Sequence, residues 1–594
     1  MWTPGDLLCH DAAAPCPFSR RPCSLMAAAK QREDDCMDAP ERTVPAAGPR
    51  GGIAEPLRTP LFRRIWLASL LSNLGLMIQA VGAAWAMTKL TTATDMVALV
   101  QTALMLPVML VSIAAGAIAD MYDRRKVGIA ALAVSLTGAS LLSLLTLSGL
   151  LTPWTLLFFC FLIGTGMALF GPAWQASVSE QVPPHALPQA VALNSISYNI
   201  ARSFGPAIGG VIVAAFGAVV AFIGNALLYL PLLAVLLLWR RIQVPSRLPP
   251  ERLNRAITSG IRYVVHSPSI RVVLWRTLAT GIAGGSVSAL MPIVARDLLD
   301  GGAQVYGLVL GAFGVGAITG ALNINQINAR LNGEQAVVAC AIVMAAAIAT
   351  VALSHSIVLT AVALVLGGAG WMISVTLFNI GIQLSAPRWV AGRTLAAFQA
   401  SIAGGIAIGS WLWGHAAQIQ GVSAALLMSA AAMLATALLG RWLRMPAISD
   451  SDKQAIDLGT PEVGLALTAR SGPIVVEIEY RVDTEQARAF YSVIQQVQLT
   501  RHRNGAYDWS IARDIADPTL WTERFHCPTW LDYLRLRSRH TAAELDIHRQ
   551  AEDFHRGDEP IRIKRMLERP FGSVRWKDDA PDVGMGEVLP TTGA

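Results

Sequence analysis

The chain has 594 residues, 53% of them hydrophobic and only 15% charged, with a mean hydropathy of +0.47. A soluble fold of this size carries nearer a quarter charged residues, and here the apolar residues arrive in blocks of twenty or more, which excludes a mainly soluble protein. The formal charge of +7 comes largely from Lys and Arg beside those blocks, where membrane topology accounts for them better than nucleic-acid binding does.

Residues 1–58 are rich in Ala, Pro, Arg and Asp, lack apolar periodicity, and are predicted to be disordered. Met26 or Met37 is an alternative start. Cys9, Cys16, Cys23 and Cys36 lie in this stretch, Cys160 and Cys340 in apolar blocks, and Cys527 near the end. No CxxC spacing occurs, so neither a disulfide framework nor a zinc or redox centre is expected. Twelve apolar blocks follow and predict transmembrane helices. Six fall in the first half, 59–240, near 65–87, 96–119, 127–150, 154–178, 189–216 and 219–239. Six more fall in the second half, 270–445, near 270–295, 306–327, 335–353, 357–384, 394–418 and 423–443. A polar linker, 241–269, divides the halves, and within it Leu253–Val265 has the apolar spacing and basic flanks of a helix lying on the inner membrane surface. Such a six-linker-six plan is the duplication expected of transporters whose halves rock about a midplane site.

Basic residues set the orientation. Arg63, Arg64, Arg124, Arg125, Lys126, Arg240, Arg241, Arg330, Arg388, Arg393, Arg441 and Arg444 flank one set of helix ends, while the alternate loops hold little beyond Lys89 and Arg296. The positive-inside rule then puts both termini in the cytoplasm. Beyond Met445 the composition changes. Residues 446–472 read as a linker and 473–567 as a soluble α+β domain, with strands near 474–482, 507–514, 520–525 and 561–566 and helices near 484–499 and 530–555. That β-α-β-β-α-β order predicts a ferredoxin-like fold, and the tail, 568–594, reads as disordered.

The sharpest motif joins the second and third helices: Gly116-Ala117-Ile118-Ala119-Asp120-Met121-Tyr122-Asp123-Arg124-Arg125-Lys126. Gly116 lets another helix approach, Asp120 stands at the membrane edge where it can face a helix N-terminus or an arginine, and the basic triplet holds the loop inside. The fifth helix carries Gly205-Pro206-Ala207-Ile208-Gly209-Gly210, a kinkable segment with a flat packing face, although Ala192 and Ala201 stand where two further glycines of the pattern belong. The first motif resembles the loop signature of the major facilitator superfamily, and the second the helix-five motif of its exporters. Three longer stretches are similar to the branch holding the enterobactin exporter and the transmembrane secretion effector proteins. They are Phe170-Gly171-Pro172-Ala173-Trp174-Gln175, the run Ala192 to Ser195 with Asn199 to Arg202, and Pro387 to Arg393 followed by Gly404, Gly405 and Gly414. This likeness covers about Pro56 to Met445. It implies an all-α membrane fold of twelve helices in two halves, export as the direction, and a cytoplasmic latch in which Gly116, Asp120, Asp123, Arg124 and Arg125 face the start of helix eleven near Arg393 and Thr394.

Polar residues inside predicted spans are the candidate substrate contacts, because each is costly in lipid. Arg202 leads, since it lies about twelve residues into helix five, roughly 18 Å along at 1.5 Å per residue, where a cation could meet an anionic group. Asn73, Gln79, Trp174, Gln175, Asn194, Tyr198, Asn225, Asn379, Gln383 and Gln399 add polar and aromatic surface. No Asp or Glu falls mid-helix: Asp95, Asp120, Asp123, Glu180, Asp297 and Glu334 all sit at ends, and Cys160 stands where many drug antiporters of the superfamily carry an arginine. A coupling proton would therefore use Asp120, Glu180 or His415. In helix eight, Asn323, Asn325, Gln326 and Asn328 before Arg330 read as a second copy of the loop signature with amides replacing acids. His502, His526, His540, His548 and His555 lack a Cys or acidic partner at ligand spacing, so no metal is expected, although His548 and His555 could share a helix face.

The resulting expectation is a multi-pass protein of the bacterial inner membrane that exports a small siderophore- or drug-like molecule by alternating access, a proton being one candidate coupling ion. The alternatives are a membrane sensor or regulator whose C-terminal domain reports or acts on the ligand, and an enzyme in that domain. No catalytic residue, cofactor or nucleic-acid partner is implied. The expected partners are the substrate, the lipid bilayer and, through the C-terminal domain, which resembles the small monooxygenase-like α+β barrels, a second copy of the chain.

Overall fold

A computed structural model describes residues 54–239, 253–387, 389–445, 455–456, 458–557 and 559–568. Of the stretches predicted to be disordered, residues 1–53 and those beyond 568 lie outside the described residues, as do the basic cluster at 240–252 and Arg388, whereas Glu55–Arg58 of the first stretch forms a 3-10 turn. Among those described, twelve helices are long and apolar enough to cross a bilayer. The first half is α1 (Pro60–Leu90), α2 (Thr94–Met121), α3 (Arg124–Leu147), α4 (Pro153–Ser177), α5 (Leu187–Phe216) and α6 (Ala218–Leu238). Helix α7 (Leu253–Val265) leads to the second half: α8 (Pro268–Ile293), α9 (Ala303–Arg330), α10 (Gly333–Leu353), α11 (Ile357–Ser385), α12 (Ala391–Gln420) and α13 (Val422–Leu438).

Local chemistry explains where these helices start and stop. Pro60, Pro153 and Pro268 occupy first-turn positions, where the missing N–H costs nothing. Asp123 caps α3 by accepting from Arg125 N–H at 2.9 Å, and Thr152 and Thr155 form a reciprocal capping box on α4. The duplication is visible in one detail. Gly217, at φ +79°, is the single residue between α5 and α6, and Gly421, at φ +87°, is the single residue between α11's successor α12 and α13. Only glycine takes that left-handed backbone cheaply, so each half closes with the same sharp reversal.

With an even number of spans, the start of α1 and the C-terminal domain share one face of the bundle, the domain face; the opposite is the far face. The halves meet along α2–α12 and α5–α9. On the far face, a Cβ on Gly210 would lie 2.8 Å from the Gly307 Cα, so two backbones touch there. Gln418 Oε1 accepts from Thr94 N–H at 2.7 Å and from its hydroxyl at 2.9 Å, and Trp85 stacks on Tyr306 at 6.4 Å. The far face is therefore closed across the halves.

The C-terminal domain contains β1 (Ile474–Arg481), α14 (Ala487–Asn504), β2 (Tyr507–Arg513), β3 (Leu520–Cys527), α15 (Trp530–Arg537), α16 (Ala542–Glu552) and β4 (Arg562–Leu567). The sheet order is β2-β3-β1-β4, antiparallel throughout, which is the ferredoxin-like topology. Ile474, Val476, Ile478 and Tyr480 pack against Phe490, Ile494 and Val497 of α14 to form the core. Two details differ from expectation. The single helix predicted over 530–555 is two helices, because Thr541 and Glu544 build a capping box that starts α16 afresh after Arg537. His555 consequently lies beyond α16 and shares no helix face with His548. The segment expected as a linker runs along α15: Arg537 donates to the carbonyls of Leu458 and Gly459 at 2.6 and 2.9 Å, and Trp530 N–H to Ser471 O at 2.7 Å.

Candidate functional site

Between the halves lies a cavity of about 400 Å³, walled by α1, α2 and α5 on one side and α8, α9, α11 and α12 on the other. Its lining is mostly apolar and aromatic, with Met77, Met105, Leu310, Phe313 and Trp371. The polar groups are few: Gln101, Tyr198, Arg202, Ser288, Tyr306 and Gln399. A second space of about 220 Å³ adjoins it toward the domain face and shares Val108, Met167 and Gln399; Ser112, Gly116, Pro172 and Gln175 line its other walls. Gln175, Tyr198 and Gln399 are exposed although they line these spaces, and all three lie on the domain side of Arg202. With the far face closed, the cavity opens toward the domain face.

Arg202 stands midway along α5, with its guanidinium carbon 5.7 Å from the Phe313 ring centroid. Among the described residues it has no carboxylate within ion-pair distance. A cation at mid-membrane depth is expensive, and the other described arginines inside the bundle are anchored: Arg276 reaches Glu334 and donates to Leu443 O at 3.1 Å. Arg202 instead meets a π face and lines the cavity. Asn194, Tyr198 and Arg202 recur at four-residue spacing on α5, so Asn194 continues the same face toward the domain side.

The remaining sequence candidates divide. Gln79 is buried and its side-chain oxygen accepts from the Asn225 amide, a helix–helix pair between α1 and α6 rather than a cavity contact. Trp174 stacks on Phe170 at 5.6 Å within the first-half core, so it packs rather than lines the cavity. Asn379 accepts from Gln383 one turn on, on the same α11 face as the cavity liners Trp371 and Val375 but nearer the domain face. Asn73 lies one turn below Met77 on α1 and lines neither space. His415 stacks on Trp411 at 6.3 Å, about 180° around α12 from the cavity liner Ile406. Gln101, Ser288, Tyr306 and Trp371 were not singled out from sequence. Gln101 and Trp371 carried the usual signal, a polar or indole group deep in an apolar block; Tyr306 sits at a helix start and gave none.

In the loop signature, the Asp120 side chain lies outside the described residues. Gly116 faces α12, where its Cβ would stand 3.6 Å from the Ala396 Cβ. Arg124 pairs with Glu180 at 2.9 Å, and Arg125 donates to the carbonyls of Leu236 and Leu237 at 2.7 and 2.6 Å, closing the end of α6. Arg393 Nη1 donates to Ser259 Oγ of α7 at 2.8 Å. In the helix-five motif α5 runs unbroken through Pro206: Gly205 and Gly209 lie against Met77 and Ile78 of α1, and Gly210 against α9. Among the described residues no group of three His, Cys, Asp or Glu could hold a metal. In the C-terminal domain, Glu523 is fully buried and accepts from Arg501 Nε at 3.0 Å, Trp509 Nε1 at 3.0 Å and Tyr480 Oη at 3.1 Å. Burial and then the Glu523 carboxylate push the Tyr480 phenol well up. Burial, with Arg501 and His540 adding to it, pushes the His548 imidazole well below its usual range.

Comparison with known proteins agrees with this architecture. Residues 52–571 match the family model described as transmembrane secretion effector. The staphyloferrin A transporter of Staphylococcus aureus is 26% identical over 226 residues, which is 38% of this chain and 56% of the relative. The multidrug efflux pump Tap of Mycolicibacterium fortuitum is 24% identical over 341 residues, 55% of this chain and 82% of that protein. The crystal structure of the nucleoside transporter NupG superposes with a TM-score of 0.55 at 10% identity, covering 65% of this chain and all of NupG. Family and relatives are transporters, not enzymes. With twelve spans in two matched halves around a central cavity, this chain belongs to the transmembrane secretion effector family of the major facilitator superfamily.

Proposed function

We propose that this protein exports an amphipathic small molecule with an acidic group, siderophore- or drug-like, from the bacterial cytoplasm by alternating access. The observation that carries this reading is Arg202, a mid-membrane cation without a described carboxylate partner in an otherwise apolar and aromatic cavity. An anion seated there would satisfy the guanidinium, while Met77, Phe313 and Trp371 take an apolar body. The relatives named for staphyloferrin A transport and multidrug efflux support export of this kind of cargo. The basic residues on the domain face support placing that face in the cytoplasm, so the open side of the cavity is the loading side. We read the α2–α3 signature with Arg393 as the cytoplasmic latch. A proton-coupled cycle would need its titrating group near that latch, where Glu180 lies, because no carboxylate lines the described cavity.

The test is a binding titration of the reconstituted protein with anionic and cationic siderophores and drugs, read by quenching of Trp371. Arg202→Ala removes a charge-assisted contact of about 1.5–3 kcal/mol, so anionic ligands should bind roughly ten- to a hundredfold more weakly. Equal weakening of cationic ligands would reduce Arg202 to a structural role. Direction is checked in energised inside-out vesicles, which should accumulate the ligand; accumulation in right-side-out vesicles would refute export.

A further inference from the structure

The transport reading leaves the C-terminal domain unused, yet that domain is seated on the gate. Helix α7 crosses the start of α12: a Cβ on Gly260 would come within 2.8 Å of the Arg393 stem, and Arg393 Nη1 donates to Ser259 at 2.8 Å. One turn along α12, Ala396 packs on Gly116 of α2, so α7 lies over the point where the halves meet on the domain face. Tyr263 of α7 is buried, edge-on to Trp389 at 5.3 Å.

From the other side the C-terminal domain covers α7. His502 stacks on His266 at 5.6 Å, the Arg503 guanidinium lies 5.9 Å from the Tyr263 ring, and that of Arg539 lies 4.0 Å from the Trp389 ring. Gly505, at φ +118°, ends α14 and leaves room for Arg262, which is 3.0 Å from where a Cβ would stand. Three of these contacts place a cation or imidazole on an aromatic face.

We propose that the C-terminal domain is a clamp that holds α7 across the α2–α12 contact, and that protonation of His502, stacked on His266, releases it. Basic side chains approach the stack from both elements. Arg262 comes from α7 and Arg503 from α14; Arg393 lies beneath α7; and the nearby carboxylate, Glu544, already serves Arg503 at 3.4 Å, Asn504 at 3.0 Å and His540 at 3.7 Å. A proton on His502 therefore adds like charge beside Arg262 in a partly buried stack. The sign agrees with His502 itself: burial lowers its pKa most, and His266 and Arg262 lower it further against the Ala506 carbonyl that raises it. The undocked domain therefore binds the proton more tightly than the docked one, and docking weakens as the pH falls below the ordinary histidine range.

The consequence for transport rests on the alternating-access reading, but the docking does not, and the experiment separates them. Hydrogen exchange of the full-length protein in lipid nanodiscs is followed at pH 7.5 and 5.5 and corrected for the chemical exchange rate. Protection of residues 257–266 should fall about tenfold or more on acidification in the wild type. It should hold at both pH values in the His266→Phe/His502→Phe double variant, which keeps the stacking and cannot take up a proton. In the wild type, equal protection at the two pH values, or the same loss in the double variant, overturns the switch. Release of α7 with no change in the turnover of any transported probe overturns the clamp as a control on the gate, whatever the cargo proves to be.

Discussion

The membrane bundle and the C-terminal domain treat an interior arginine in opposite ways. In the domain, Arg501 is held by Glu523, whose oxygens also accept from Trp509 and Tyr480, so each polar atom of that carboxylate has a partner in the dry core. In the bundle, Arg202 is left facing a π ring and the cavity between the halves. Arg276, also in the bundle, follows the domain's pattern: it reaches Glu334, which in turn accepts from Met445 N–H at 3.0 Å and fixes the end of the second half just before the chain leaves for the domain. The difference teaches where to look for function. A satisfied buried charge holds structure, whereas an unsatisfied one facing a cavity is poised for a ligand.

That comparison can be broken by mutation. The largest effect is expected for Glu523→Ala, which strands Arg501 in the core and should cost the domain about 3–5 kcal/mol, read as lost hydrogen-exchange protection in β1 and β3 of the full chain. Arg276→Ala should cost about 2–3 kcal/mol in thermal unfolding in detergent, less than the fully buried case because Glu334 is partly exposed. Arg124→Ala, which breaks the Arg124–Glu180 pair of the first half, should cost about 1 kcal/mol or less, since both partners of that pair are partly exposed. Arg202→Ala should move stability the other way, raising the unfolding midpoint by the equivalent of about 1 kcal/mol, because no described carboxylate is orphaned and an unpaired charge is removed. A clear loss of stability in that variant would mean that Arg202 is a structural arginine after all.

The smallest effect concerns pH. His548 and His540 are held neutral in the fold, chiefly by burial, with folded pKa values below the ordinary 6.5. The unfolded chain therefore takes up protons first as the pH falls through 6.5, and the domain loses stability below that point while gaining none above it. Denaturant titrations followed by the domain's exchange protection, at pH 7.5 and 5.5, read the slope directly. A flat profile would show that these two imidazoles are solvated.

Much of this was legible along the chain. Twelve apolar blocks, the glycine positions and the strand–helix order of the domain each rest on local pattern, and hydrophobic periodicity needs no partner to be read. The candidate site was only half legible. Arg202, Tyr198, Gln175 and Gln399 were reachable as polar residues in apolar blocks, but the same criterion also raised Gln79 and Trp174, which face neighbouring helices. Rotation of each helix about its axis decides that, and in a membrane helix apolar on all sides the sequence carries little rotational signal. Arg276 escaped notice for the same reason: only the fold brings it to Glu334, 58 residues on.

The sequence by itself determined that this chain crosses a bilayer twelve times in two duplicated halves and ends in an α+β domain, because burial in lipid and backbone hydrogen bonding act within each segment. Only the tertiary structure decided which polar groups share the cavity, which arginine there has no described carboxylate partner, and that the C-terminal domain rests on α7 beside the start of α12. Those are contacts between residues tens to hundreds of positions apart, and their geometry exists only once the helices have packed.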